Sequence, residues 1–414
     1  MLDLAFVKPT YDGRSFSAIP PSIAGLLGAP QKVALAPEVL GDLAGVYDVV
    51  VLFLVDAFGW RFFAKHAHDY PALRRFLDRG RAVKLMAQFP TTTASHITCL
   101  HTGLEVGQSG VYEWQYYEPQ LDAVITPLLF SYAGTTQRDQ LKKAGVDPRR
   151  LYPTRTLYHS LGKQGIASTI FQPREFTPST FSDVVFDGAT KVWGYITLPE
   201  ALVNLRVLLA ERKTPSYYVL YFGDFDDIGH RYGPNSAQLA AELDALLTSL
   251  ERLFLSRLPA GSGRGLFLLI ADHGLAETDP ATTIYLNTDR AFAGIERYLR
   301  RDRQGRLLVP AGSPRDPFLY VRDGLVDEAH DFLARRLAGR AVVYRVADLI
   351  AAGFFGGQPP LPEFLARVGD LVILPYRGEA VWWYEKDRFV QRYYGHHGGL
   401  TPQEMEIPLL ACDF

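Results

Sequence analysis

The sequence predicts an α/β protein on a doubly wound, mostly parallel sheet, with helices on both faces and a small α/β insertion. Three observations carry this. Residues 47–55, 216–222 and 265–271 are almost continuously apolar, β-branched or aromatic, as strands buried on both faces must be. Stretches with helical spacing alternate with such strands. Each of the three runs leads directly into acidic or histidine residues: Asp56, then Asp226 with His230, then Asp272-His273.

Taken in order, residues 1–45 are rich in proline and glycine, with little periodicity, and read as a surface-hugging arm. The strand at 47–55 ends at Asp56, ahead of a helical stretch that Asp56 could simply cap. A strand at 82–88 leads into Phe89-Pro90-Thr91-Thr92-Thr93, a short helix and Thr102-Gly103, the pattern of loop, N-cap, helix and C′ glycine. Helices are expected near 135–144, 156–164 and 198–212, and a strand at 167–171. Pro234-Asn235-Ser236 opens a helix whose Leu239, Leu243, Leu246, Leu250 and Leu253 recur at core spacing. From about 281 the texture changes to short strand and helix segments. Residues 281–369 read as the insertion, and 1–280 with 370–414 as the main unit, with strands at 370–375 and 380–384 returning to the central sheet.

Composition narrows the function. At 414 residues and 48% hydrophobic content, one large domain with an insertion, or two domains, has ample core. The net charge of −2 gives no support for a nucleic-acid polymer as partner. Cys99 and Cys412 allow at most one disulfide. The first residues lack a basic start followed by a long apolar run, and no apolar run reaches the roughly 18 residues of a membrane span. A cytoplasmic protein is the expectation; the oligomeric state is not readable.

In open α/β sheets the ligand crevice lies beyond the carboxyl ends of the strands, so the three polar clusters should converge there. His397, in a glycine-flanked loop with His396 beside it as a rival, completes a set of three Asp and three His. Such ligands suit zinc or manganese, and six suit two ions better than one. Each is weak alone: Asp226 and His230, four apart, are also the spacing of an ordinary surface pair. Thr93 stands at a helix start, where backbone N–H groups and the helix dipole favour an anion; Thr91 and Thr92 read as capping or packing residues. A threonine bound to one metal, with the second metal stabilising the opposite oxygen, suits attack on phosphorus and a phospho-enzyme that water then releases.

With these residues in place, the chain resembles the alkaline phosphatase superfamily, in particular its type I phosphodiesterase/nucleotide pyrophosphatase branch. The matching pieces are Val55-Asp56-Ala57-Phe58-Gly59, Phe89 to Thr93 with Thr102-Gly103, Asp226 to Pro234, Ala271-Asp272-His273-Gly274 and His397-Gly398-Gly399. The resemblance implies Thr93 as nucleophile. It implies one metal on Asp56, Thr93, Asp272 and His273, a second on Asp226, His230 and His397, and zinc as the usual ion, with manganese the other option. It implies a hydrolase of phosphodiester or pyrophosphate bonds in small phosphate esters. Trp114 stands at the offset where that branch carries a phosphate-binding asparagine, and Ala94-Ser95-His96 follows the nucleophile in place of Phe-Pro-Asn-His. A phosphomonoesterase or phosphomutase of the superfamily, or a metal-stabilised binding protein, would use the same ligand set.

Overall fold

The structure, a computed structural model, describes residues 2–30, 33–213, 215–258 and 263–414. In chain order the strands of its two main sheets are β1 Val49–Val55, β2 Arg81–Met86, β3 Ala167–Pro173, β4 Lys191–Tyr195, β5 Ser216–Phe222, β6 Gly265–Ile270, β7 Phe318–Leu319, β8 Ala341–Arg345, β9 Leu371–Pro375 and β10 Glu406–Asp413. The central sheet has the order β2-β10-β6-β1-β5-β3-β4. From β6 across to β4 every neighbour is parallel, while β10 runs antiparallel to both β6 and β2. This is the mixed α/β, mostly parallel sheet the patterning predicts.

β1 lies in the middle of the sheet, and all seven of its residues are buried. Its register fixes the site. Val55 pairs with Phe222 of β5, and Leu54 with Ile270 of β6. Asp56, the turn after β5 and the turn after β6 therefore leave the sheet side by side at its carboxyl edge.

Three helices matter there: α1 Thr93–Thr102, α2 Asp224–Tyr232 and α3 Ala237–Ser249. α1 ends at Gly103 with φ 75°, a left-handed C′ residue. The Ser236 side chain caps α3 by accepting from the Leu239 N–H.

Three expectations give way. Pro20 and Pro21 do not mark loose chain; they open helix Ile19–Leu26, which packs against α1. Proline is tolerated there because the first helical N–H groups have no partner to lose. The helix expected over 135–144 shrinks to Gln140–Lys143, because 116–132 forms a three-stranded antiparallel sheet and Asp139 adopts a left-handed conformation. The strand β9 does not return to the central sheet but pairs with β7 and β8, and Val381–Trp382 pairs with Ile284–Tyr285. A run apolar on both faces fits the middle of a small covered sheet as well as a large one, so pattern alone cannot choose its neighbours. These strands share a separate apolar cluster that includes Phe292, Leu319, Phe332 and Ile373.

Candidate active site

The sheet brings together all seven residues singled out from the sequence. Thr93 is the first residue of α1, and its Oγ1 lies 3.3 Å from Asp56 Oδ2 and 3.2 Å from His273 Nε2. His273 Nε2 is also 3.4 Å from Asp56 Oδ1 and 3.4 Å from Asp272 Oδ2. On α2 the four-residue spacing puts Asp226 and His230 on one face, with Nε2 and Oδ2 3.1 Å apart. His397 Nε2 stands 3.2 Å from His230 Nε2 and 3.9 Å from Asp226 Oδ1. The rival His396 uses its Nδ1 to accept the His397 backbone N–H.

Local chemistry explains the poses. Ala57, with φ 58°, turns the chain after β1 so that its N–H donates to Asp272 Oδ1. Such strain in a residue other than glycine is held in place only by its surroundings. Each inward-facing histidine has a backbone carbonyl at its Nδ1: Gly395 for His230, Gly274 for His273 and Thr91 for His397. An Nδ1–H spent this way leaves the Nε2 lone pair facing the site, as metal-ligating histidines require. Gly398, with φ 129°, lets the His397 loop pass close to Asp316; a Cβ there would lie 2.4 Å from Asp316 Oδ1.

The donor set fits divalent cations. Asp56 Oδ1, Asp226 Oδ1 and Asp272 Oδ2 are buried acceptors with no hydrogen-bond partner among the described residues. Buried carboxylates left so are costly unless paired or coordinated. Ligand atoms of Asp56, Asp272 and His273 lie within 4.8 Å of one another, and so do those of Asp226, His273 and His397. The second group takes His273 where the resemblance assigns His230. The 3.1 Å and 3.2 Å approaches of His230 place it on the same cluster.

Without cations the cluster is electrostatically tense. Burial, then the charges of Asp272 and Asp226, hold the Asp56 carboxyl well above its ordinary range. Burial, reinforced by Asp226, pushes Asp272 up to about 7. Burial also raises Asp226, but His230 beside it wins, and the net shift is down. Burial, with neighbouring imidazoles, drives His273 and His397 well below the usual histidine range and keeps them neutral.

Several contributors escape sequence patterning. Tyr221, inside an apolar strand, donates its hydroxyl to Asp56 Oδ2 at 2.5 Å. Thr91 is no mere cap: its Oγ1 donates to Gly399 O and accepts the Gly398 N–H, both at 2.9 Å, stitching the threonine loop to the His397 loop. Thr92 occupies the N-cap position without a side-chain cap bond. Arg315, fully buried, forks onto both oxygens of Glu404 at 3.0 and 2.9 Å, and Glu404 in turn accepts the Gly399 N–H. Tyr221, Thr91 and Arg315 have no local signal, because each depends on a residue 89 or more positions away.

Two cavities flank Thr93 and Asp226. One, of about 260 Å³, is walled by Phe176, Phe181 and Phe186; the other, of about 340 Å³, by Gln115, Gln391 and Tyr393. Trp114 borders both and is 44% exposed.

A profile of the family type I phosphodiesterase/nucleotide pyrophosphatase matches residues 50–400. The chain belongs to this family. Venom phosphodiesterase CdcPDE of Crotalus durissus collilineatus is 24% identical over 295 residues, covering 67% of this chain and 32% of the venom protein. Human ectonucleotide pyrophosphatase/phosphodiesterase family member 1 is 23% identical over 250 residues, covering 57% of this chain and 24% of its own length. The chain thus spans about a third or less of these relatives. Among solved structures, murine ectonucleotide pyrophosphatase/phosphodiesterase 5, an inactive threonine-to-alanine variant in complex with AMP, superposes with a TM-score of 0.62 at 19% identity. That match covers 88% of this chain and 87% of the murine one and bears on the fold. Among the described residues no helix is long and apolar enough to cross a membrane.

Proposed function

We propose that this type I phosphodiesterase family member hydrolyses phosphodiester or pyrophosphate bonds of small molecules, with two divalent cations and Thr93 as nucleophile. One observation carries the reading. Thr93 Oγ1 sits at a helix N-terminus, within 3.3 Å of Asp56 and His273, beside three buried carboxylate oxygens with no hydrogen-bond partner among the described residues. The names of the relatives, and the inactivity of the murine threonine-to-alanine variant, support it.

Asp56, Asp272, His273 and Thr93 would hold one cation, and Asp226, His230 and His397 the other, with zinc the first choice for this nitrogen and oxygen set. Bound there, the cations would supply Lewis-acid charge neutralisation at a phosphoryl group. The protein does the rest. Thr93 gives up its proton to solvent and its Oγ1 bonds to phosphorus as the opposite ester bond breaks. The departing alkoxide takes a proton from solvent. Water then attacks the phosphothreonine, restoring the hydroxyl and releasing a phosphomonoester. The α1 N-terminus favours the anionic forms of Thr93 and of the phosphoryl oxygens. The flanking cavities leave room for a substituent on each side of Thr93, which favours a diester over a monoester.

The test is turnover of bis(p-nitrophenyl) phosphate and p-nitrophenyl phosphate by protein stripped of metal and reloaded with zinc or manganese. The diester should be the better substrate, and Thr93→Ala should lower its turnover by orders of magnitude, because the covalent route is gone. Acid-quenched, labelled protein should carry phosphate on Thr93. Undiminished turnover in Thr93→Ala, or label on Thr91 or Thr92, would overturn the assignment.

A further inference from the structure

Four residues border both cavities that flank the centre: Thr93, Trp114, Asp226 and Asp227. Thr93 and Asp226 belong to the centre, and Asp227 follows Asp226 on α2. Trp114 is the one apolar side chain of the four, and it comes from the turn ahead of the small antiparallel sheet of 116–132. A substituent on a phosphorus held at Thr93 must leave along one cavity or the other, and on either route it passes the indole ring.

The charged residues of these walls carry both signs. Arg138 faces Glu175 and Asp227 in the smaller cavity, and Arg388 shares the larger with Glu113 and Asp227. Charge therefore gives neither side a clear preference, and shape is what remains to discriminate. Trp114 is 44% exposed, and among the described residues its ring has no aromatic or cationic partner and its indole N–H no acceptor. Other indoles of this chain are matched: Trp193 stacks on Phe171 with ring centroids 5.8 Å apart, and Trp60 lies 5.1 Å from Phe63.

The backbone on each side holds the ring in place. The Trp114 N–H donates to the carboxylate of Glu113, which is fully buried. Gln115, 3% exposed, accepts the Gly312 N–H at its carbonyl at 2.9 Å, and its side-chain amide donates to Pro310 O at 2.8 Å. The indole is thus fixed at the junction of the cavities with open space beside it, so little ordering is left for a ligand to bring about.

We infer that Trp114 is a specificity residue: it stacks on a flat ring carried by the ester, and the site selects aryl or heteroaryl substituents over saturated ones of equal size. A flat ring meets the indole face over its whole area, whereas a puckered saturated ring meets it through a few hydrogens. This rests on the hydrolase reading above, which places the phosphoryl group at Thr93, and it names the substituent class that reading leaves open.

The experiment is calorimetric binding of benzylphosphonate and cyclohexylmethylphosphonate to zinc-loaded protein. Each has one ring on one methylene, and neither can be hydrolysed to a phosphate ester product. Burial of apolar area alone favours the cyclohexyl ring, which has the larger surface. Stacking reverses that order, and wild type should bind benzylphosphonate about threefold or more tightly, the added strength of an aromatic pair. Trp114→Leu, which keeps apolar bulk without the π face, should bring the ratio to one or below, as should Trp114→Ala, while Trp114→Phe should retain part of it. A merely structural role would weaken both ligands alike and leave the ratio where it was. A wild-type ratio of one or below, a ratio unmoved in Trp114→Leu, or no binding of either ligand to wild type overturns the inference. Zinc content measured alongside reports that the centre is intact. Turnover of bis(p-nitrophenyl) phosphate by the same wild-type protein reads the hydrolase proposal separately: turnover with a ratio of one sinks Trp114 alone, and the expected ratios without turnover sink the hydrolase reading alone.

Discussion

Tyr221→Phe removes one oxygen atom from the interior and isolates the support of a single ligand. The Tyr221 hydroxyl donates to Asp56 Oδ2 at 2.5 Å, while Asp56 Oδ1 has no hydrogen-bond partner among the described residues. After the substitution, Thr93 Oγ1 at 3.3 Å is the remaining side-chain hydrogen-bond donor to the Asp56 carboxylate among the described residues. A hydrogen bond to a charged acceptor is worth about 1.5–3 kcal/mol. The sign follows from the electrostatics: the Tyr221 bond lowers the Asp56 pKa against burial and the neighbouring carboxylates. Without it Asp56 holds its proton more tightly, and a cation must displace that proton to bind. Zinc affinity at the Asp56, Asp272 and His273 set should therefore fall by about 10- to 100-fold at neutral pH, the range seen when groups supporting metal ligands are lost. The deficit should shrink as pH rises and deprotonation becomes cheap. A competition titration against a chromogenic chelator at pH 6.5, 7.5 and 8.5 reads both the size and the trend. Wild-type zinc affinity at all three pH values would refute the idea that Tyr221 holds Asp56 in its ligand form.

Three further outcomes follow from the same geometry. Asp272, with a folded pKa of about 7, and Asp56, well above the usual range, bind more protons folded than unfolded, so metal-free protein loses stability as pH rises. The depressed His273 and His397 act oppositely only below their unfolded value near 6.5. Urea denaturation in EDTA should therefore show a fall on the order of a few kcal/mol from pH 6.5 to 8.5, erased by zinc; a rise would contradict it. Arg315→Leu leaves Glu404 buried and unpaired and should cost about 3–5 kcal/mol in urea denaturation, with Arg315→Leu/Glu404→Gln recovering part; a cost below about 1 kcal/mol counts against the pair. Thr91→Val strands the Gly398 N–H and Gly399 carbonyl and should cost about 1–3 kcal/mol while lowering zinc occupancy by elemental analysis; a silent variant would return Thr91 to a packing role.

The residues by themselves determined the central strands and the polar residues that gather at their ends. Buried parallel strands must be apolar throughout, so the polar residues that follow β1, β5 and β6 stand out, and parallel pairing delivers them to one edge. The four-residue step from Asp226 to His230 and the glycine after α1 are equally local rules, and they hold here. Tertiary structure alone decided the rest. The choice between His396 and His397 turns on which ring faces Asp226, a matter of one peptide unit in a loop. The neighbours of β9 were open because an apolar run satisfies any covered sheet. Tyr221, Thr91 and Arg315 gain their roles from partners assembled by distant chain segments. Periodicity records which face of an element is buried; it carries no record of what that face will meet.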